Sequence, residues 1–196
     1  MRVTRGGGLL ENFLAHERVR QAKKLIGKES RSGRILDIGC GRFPLFLTET
    51  DFGEKYGVDK SKVKSQKSKV NGILLKRFDV ESGPLPFKNN FFDVVTMLAV
   101  LEHIEAERLE KVLGEVFRVL KPKGRFVVTV PAFWTEGLLK AMARFGLISK
   151  IEIAEHKQVL KPTEIVNVLT GAGFSKNKIK WGFFELYANT WMVANK

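Results

Sequence analysis

A single cysteine, Cys40, stands among 196 residues. That excludes an intrachain disulfide and a thiolate metal cluster, and it fits a reducing compartment, so a cytoplasmic protein is expected. Long apolar runs are missing as well: no stretch approaches the roughly 20 residues that a membrane-spanning helix needs. Residues 1–8 are basic and glycine-rich, with no apolar stretch or cleavage site behind them, so no signal peptide is expected. Acidic residues are in the minority, 21 against 34 lysines and arginines, for a net charge of +13. Seven of the cations (Lys60, Lys62, Lys64, Lys67, Lys69, Lys76 and Arg77) fall in one stretch that holds no acid. Such a stretch could attract nucleic acid, anionic lipid or an acidic substrate. A solvated face of a basic protein is the plainer reading. Residues 60–69 also lack the interleaved aromatics on which single-stranded bases stack, so nucleic acid is not the favoured partner.

No internal repeat or low-complexity linker divides the chain, so residues 1–196 are expected to form one domain. What recurs is strand, turn, helix. Leu9, Leu10, Phe13, Leu14, Ala22, Leu25 and Ile26 fall near helical spacing, interrupted by Glu17 and Arg18, which predicts a helix over 9–27 and a helical cap over 1–30. Residues 34–39 read as a buried strand ending in a glycine turn. Residues 55–58, 73–75, 92–98 and 125–130 read as further strands. Between the last two, Leu109, Val112, Leu113, Val116, Phe117 and Leu120 line one face of a helix that Pro122 and Gly124 are expected to stop. Strands alternating with helices need crossovers, which predicts a doubly wound, mostly parallel α/β sheet. A last helix over 162–171 leads into two β-rich runs, 178–186 and 190–194. Only a short connection separates them, so they should form an antiparallel C-terminal hairpin.

Two glycines directly follow the first strand in Asp37-Ile-Gly39-Cys-Gly41. Small residues there let the backbone approach a ligand and turn into a helix whose N–H groups face an anion. A plain strand-to-helix turn would look similar. Asp59 lies 20 residues after Gly39, at the end of the second strand, where a carboxylate can accept both hydroxyl hydrogens of a ribose.

Ile35-Leu-Asp-Ile-Gly-Cys-Gly41 resembles the first motif of the class I S-adenosylmethionine-dependent methyltransferases. Further resemblances follow in that family's order: Tyr56-Gly-Val-Asp59, Phe78-Asp-Val80 with Leu85-Pro-Phe87, Phe91-Phe-Asp-Val-Val95, Val100-Leu-Glu-His103 and Val119-Leu-Lys-Pro-Lys-Gly124. Pro162-Thr-Glu164 leading to Ala172-Gly-Phe174 is similar too. The resemblance spans about residues 30–195 and is closest to the branch acting on small molecules and lipid-like acceptors, quinone biosynthesis included. It implies a Rossmann-like fold and S-adenosyl-L-methionine as cofactor. It further implies that Asp37, Gly39 and Gly41, with Cys40 between them, surround the methionine part. Asp59 would hold the ribose with Lys60 packed beside it. Asp79 and the Val80 N–H would meet the adenine, and the Leu98 and Ala99 carbonyls the ammonium. Asp37 and Asp79 also suit turns or caps. One departure stands out: where the family usually has a third glycine this chain has Phe43, followed by Pro44.

Methyl transfer from a sulfonium is an in-line displacement, so the protein mainly aligns the nucleophile and excludes water. Where the acceptor must lose a proton, His103 and His156 are the candidate bases, with Glu102 a weaker third. His103 equally suits capping or packing at a helix start, and His16 reads as a surface residue. The chain lacks the Asn/Asp-Pro-Pro-aromatic motif of adenine amino-methyltransferases, a cysteine free to attack a pyrimidine, and the clustered carboxylates of magnesium-binding catechol-type enzymes. No metal is expected. The apolar insertion over 131–161, with Phe133, Trp134, Leu138, Leu139, Met142, Phe145, Leu147 and Ile148 around Lys140 and Arg144, either packs as a core helix or covers the acceptor. As a cover it points to an apolar or amphiphilic small molecule carrying negative charge. Methylation of RNA or protein through the basic surface, and cofactor binding without catalysis, are the alternatives. The oligomeric state is not legible.

Overall fold

The computed structural model describes residues 10–61, 69–70, 72–149, 153–154 and 156–196. Its centre is β1, Arg34–Ile38, in which four consecutive residues are buried, a pattern possible only where both faces of a strand are covered. β2 (Glu54–Asp59) pairs with it in parallel on one side and β5 (Phe92–Leu98) on the other. Outward from β2 lie β4 (Ile73–Arg77), parallel, and a two-residue edge strand β3 (Lys69–Val70), antiparallel. Outward from β5 lie β6 (Leu120–Pro131), parallel, then β8 (Asn189–Asn195) and β7 (Ile179–Phe184), both antiparallel to their neighbours. The order is β3-β4-β2-β1-β5-β6-β8-β7. Chain direction through the sheet reverses at β1, so the crevice beyond the carboxyl ends of β1 and β5 is where such a sheet takes its ligand.

Helix α1 (Glu11–Leu25) and the short α2 (Leu45–Thr48) cover one face; α3 (Ala106–Val119) and α5 (Pro162–Gly171) cover the other. Leu109, Val112, Leu113 and Val116 of α3 are buried in a single core with Phe92, Phe126 and Phe174. Truncating any of them to alanine would cost about 2–5 kcal/mol. α1 differs from its expected role. It buries Val19 and Ala22, while Leu10 and Phe13, part of the apolar set that suggested the helix, stay exposed.

Pro122 and Gly124 do not open a gap between helix and strand. α3 ends at Val119 and β6 begins at Leu120, running through Pro122, Lys123 and Gly124 with a register shift opposite Phe92 and Val94. Lys123 takes a left-handed φ of 66° to make the bend. The strand tolerates the proline because the shift leaves ladder pairing only at Leu120 and from Arg125 onward.

The amino-terminal edge of the sheet is braced. Tyr56 meets Phe87, Phe91 and Phe92 edge-to-face at 5.3–5.9 Å. Arg118 donates to the Leu85 and Phe87 carbonyls and to Glu115, and Asp93 accepts from the Arg34 N–H and from Lys121. The Phe87, Phe91 and Asp93 segments of the family resemblance therefore build this brace. At the opposite edge the β7–β8 turn holds three successive non-glycine residues at positive φ, Glu185, Leu186 and Tyr187 (51°, 52° and 68°). Each costs about 1–2 kcal/mol relative to ordinary backbone. Lys62, Lys64 and Lys67 of the basic stretch, and Leu9 at the expected helix start, lie outside the described residues.

Candidate cofactor and acceptor cavity

A cavity of about 600 Å³ opens where the strand order reverses. β1 delivers Asp37 and Ile38, buried, to its floor; the chain then turns through Gly39 and Gly41 at φ +74° and +71°. Only glycine enters that region without strain. A Cβ on Gly39 would also lie 2.4 Å from Val100 Cγ2, whereas one on Gly41 would meet nothing closer than the Phe43 carbonyl at 4.0 Å. Gly39 is thus packed against the wall, and Gly41 faces the open cavity. The Gly39 and Cys40 N–H groups donate to the Val58 carbonyl, which fixes the loop to β2. Cys40 lines the cavity, yet its thiol packs toward Gly57 in the core, and burial pushes its pKa up. Phe43 also lines the cavity. With Pro44 at the cap, the following helix is held to the four residues of α2.

Three carboxylates reach this end. Asp37 accepts a hydrogen bond from Thr96 Oγ1 at 2.6 Å, and burial, opposed by that bond and reinforced by Asp59, pushes its pKa up to about 7. Asp59 ends β2, accepts the Gly41 N–H at 2.8 Å, and accepts both the Ser61 N–H and hydroxyl on its other oxygen. Asp79 is exposed and accepts the Glu81 N–H at 3.0 Å, so it shapes a turn while lining the cavity. Lys60, Val80, Leu98 and Ala99 line it too, with Ala99 in a left-handed conformation at φ 56°.

Beyond the glycine loop the lining changes. The 3-10 turn Leu101–His103 follows β5, and its His103 ring meets His156 edge-to-face at 5.0 Å. Glu102, His103 and His156 offer ligand atoms within 4.8 Å of one another, a donor set that a divalent cation could take. Burial, and then His103 nearby, lowers the His156 pKa to about 4 against the pull of Glu136, so its ring is neutral above that pH. The segment carrying His156 is tied down: the Lys157 N–H donates to the Glu102 carbonyl at 2.9 Å and Gln158 to the Ile104 carbonyl at 2.7 Å. A second 3-10 turn, Phe133–Thr135, leads into α4 (Glu136–Arg144), and Leu138, Leu139 and Met142 of α4 form an apolar wall. His16 is away from this site, exposed beside Asn12 and Glu49.

Several lining residues were not singled out from sequence. α1 supplies Glu11, Phe13, Leu14, Glu17 and Arg18, the β7–β8 turn supplies Glu185, Leu186 and Ala188, and β8 supplies its first residue, Asn189. The short spacing between the two terminal strands was their one signal, because an antiparallel hairpin beside β6 returns its turn to this edge.

Residues 36–128 match the methyltransferase domain family. The chain is 24% identical over 198 residues to the ubiquinone biosynthesis O-methyltransferase of Rickettsia typhi, covering 94% of this chain and 77% of that one. An uncharacterized protein of Methanocaldococcus jannaschii is 33% identical over 132 residues, 62% of this chain and 52% of that protein, so the chain spans about half the length of this relative. An S-adenosylmethionine dependent methyltransferase from Mesorhizobium loti superposes with a TM-score of 0.68 at 18% identity, covering 91% of this chain and 98% of that one. The domain match over residues 36–128 and the fold together support a class I S-adenosylmethionine-dependent methyltransferase. The same comparisons support S-adenosylmethionine as its cofactor. The residues present suit that cofactor: two left-handed glycines leave the floor open at Gly41, and the carboxylates of Asp37, Asp59 and Asp79 are spread along the same cavity. Gly39 and Gly41 make the left-handed bends of this loop, and Phe43 stands where the family usually has a third glycine. No helix among the described residues is long and apolar enough to cross a membrane.

Proposed function

We propose that the protein methylates an apolar, lipid-like small molecule. The observation that carries this is one cavity lined at its floor by the glycine loop and carboxylates and at its mouth by Phe13, Leu14, Leu138, Leu139, Met142 and Leu186. A pocket with an apolar mouth and a few convergent polar groups selects an apolar ligand and orients its one reactive atom. The relative in Rickettsia typhi, named for ubiquinone biosynthesis, supports an acceptor of that kind.

The bound cofactor supplies an electrophilic methyl group on a sulfonium. Asp59 and the Gly41 N–H it holds would fix the ribose, Asp79 and Val80 the base, and Asp37 with the Leu98 and Ala99 carbonyls the cationic amino acid end. The acceptor's nucleophilic atom would be held in line by α1, α4 and the β7–β8 turn, which also exclude water. An acceptor that carries a proton on its nucleophilic atom would have to lose it as it takes up the methyl group. His103, beside the neutral His156 and lining the same cavity, would take that proton. No metal enters this scheme.

The test is a mass-resolved methyl adduct. Protein and cofactor are incubated with the organic-solvent and the aqueous fractions of a cell extract. Methyl incorporation into the organic fraction is expected. Incorporation confined to RNA or protein in the aqueous fraction would overturn the reading.

A further inference from the structure

The apolar residues at the cavity mouth do not stop at its rim. Phe133 and Trp134 rings lie 4.9 Å apart, Trp134 and Phe183 4.9 Å, Trp181 and Phe183 5.6 Å, and Phe183 and Tyr187 5.7 Å. Phe133, Trp134, Trp181 and Tyr187 of this chain of contacts are all exposed. The β7–β8 turn adds Leu186, 98% exposed, at the tip of the left-handed run that lifts it from the surface. α4 continues the surface from Trp134. Its Leu138 and Ala141, with Phe145 just past its end, follow helical spacing on the outer face and are exposed, Phe145 by 78%. Lys140 and Arg144 flank that stripe and are exposed as well; Lys140 pairs with Glu136, and Glu185 beside the tip is half-buried and donated to by Asn189.

From this surface we infer that the protein docks, mouth first, on an anionic phospholipid bilayer. The inference deepens the lipid-like acceptor reading and rests on it. Aromatic and leucine side chains on a projecting edge, with long cationic side chains beside them, are what a headgroup interface takes up. The rings and leucines enter the acyl boundary and the cations reach the phosphates. A net charge of +13 adds long-range attraction to an anionic surface. The geometry also favours a bilayer over a folded partner. Leu138 and Leu186 belong both to the docking surface and to the cavity lining, so an occupant must leave the mouth open. A lipid surface does so and delivers an acceptor dissolved in it.

The experiment is vesicle flotation of the intact protein, read without turnover. Vesicles of phosphatidylcholine alone are compared with phosphatidylcholine mixed with phosphatidylglycerol. The wild type is expected to float with the mixed vesicles and to bind them at least about tenfold more tightly than the neutral ones. F145S/Y187S, whose side chains do not line the cavity, should lose about tenfold on the mixed vesicles. K140E/R144E should lose the preference for the anionic lipid. Both variants must retain the thermal shift given by S-adenosylhomocysteine, which shows them folded. Absence of flotation by the wild type, or flotation of F145S/Y187S at wild-type strength, overturns the inference. So does a wild-type dimer in sedimentation velocity that F145S/Y187S dissolves, because the patch then belongs to a second copy. Flotation with no methyl transfer to any lipid fraction overturns the acceptor reading and leaves the docking intact; transfer without flotation does the reverse.

Discussion

Replacing Asp37 by asparagine should stabilise the cofactor-free protein at alkaline pH while weakening cofactor binding. Asp37 is buried, and its pKa stands at about 7 against 3.8 for the free carboxyl. A raised folded-state pKa means that the folded protein holds a proton the unfolded chain has released. Stability from this group is therefore full below the unfolded value and is lost as pH rises through about 7. Carried through the linkage relation, Asp37 contributes about 2–3 kcal/mol at about pH 5 and close to nothing at about pH 8. An asparagine keeps an oxygen for the Thr96 hydroxyl, which donates at 2.6 Å, but has nothing to titrate. Urea unfolding of both proteins at the two pH values is the assay. The wild type should lose about 2–3 kcal/mol more than Asp37→Asn on going from acid to alkaline conditions. On the proposed placement of the cofactor's ammonium beside this carboxyl, binding should also release a proton from the wild type near neutral pH and none from the variant. Equal pH slopes in the two proteins would refute the burial argument. Equal cofactor affinity would refute the placement of the ammonium.

Gly39→Ala should destabilise by at least about 1–2 kcal/mol, because an L side chain resists φ +74° and its Cβ would strike Val100; a melting temperature unchanged in calorimetry would contradict this. Asp59→Ala removes the acceptor of the Gly41 and Ser61 donors as well as the expected ribose partner. Titration calorimetry should show at least a tenfold loss in cofactor affinity, about 1.4 kcal/mol, and wild-type affinity would end the ribose role. His103→Ala should lower turnover by about 10²–10⁴-fold and flatten its pH profile, with cofactor affinity kept; near-normal turnover would assign His103 to packing. Dialysis against a chelator should leave turnover unchanged, whereas added zinc should inhibit by occupying His103 and His156. Turnover lost on chelation and restored by a cation would show that Glu102, His103 and His156 hold a working metal.

Much of the sheet was legible because its strands are hydrophobic runs of the right length bounded by glycine, as residues 34–39 show. The grouping of Asp37, Gly39, Asp59 and Asp79 along one cavity was legible mainly through the family resemblance, and for Asp59 also because it ends the strand next to the glycine turn. The acceptor side was not. Phe13 and Leu14 carry the same helical spacing whether they face a core or a cavity, and only the placement of α1 against the sheet separates the two. Glu185 and Leu186 sit in a run with no glycine, so nothing local announced a left-handed turn. The start of β6 was misjudged for a related reason. Pro122 and Gly124 are ordinary breakers, and the register shift that lets a strand pass through them is a property of its neighbour β5.

The two fastenings around the acceptor segment give it an unusual independence. Leu147 is tied to α1 through the Leu10 N–H at 2.9 Å, and Lys157 is tied to the turn after β5 through Glu102, also at 2.9 Å. Ile148, Ser149, Ile153 and His156, which line the cavity, fall between these posts in the sequence, and neither post is made by the glycine loop or by the carboxylates of the floor. The span can thus be treated as a cartridge. On the proposed reading, exchanging its described side chains should change which molecule is accepted and leave the glycine loop as it stands.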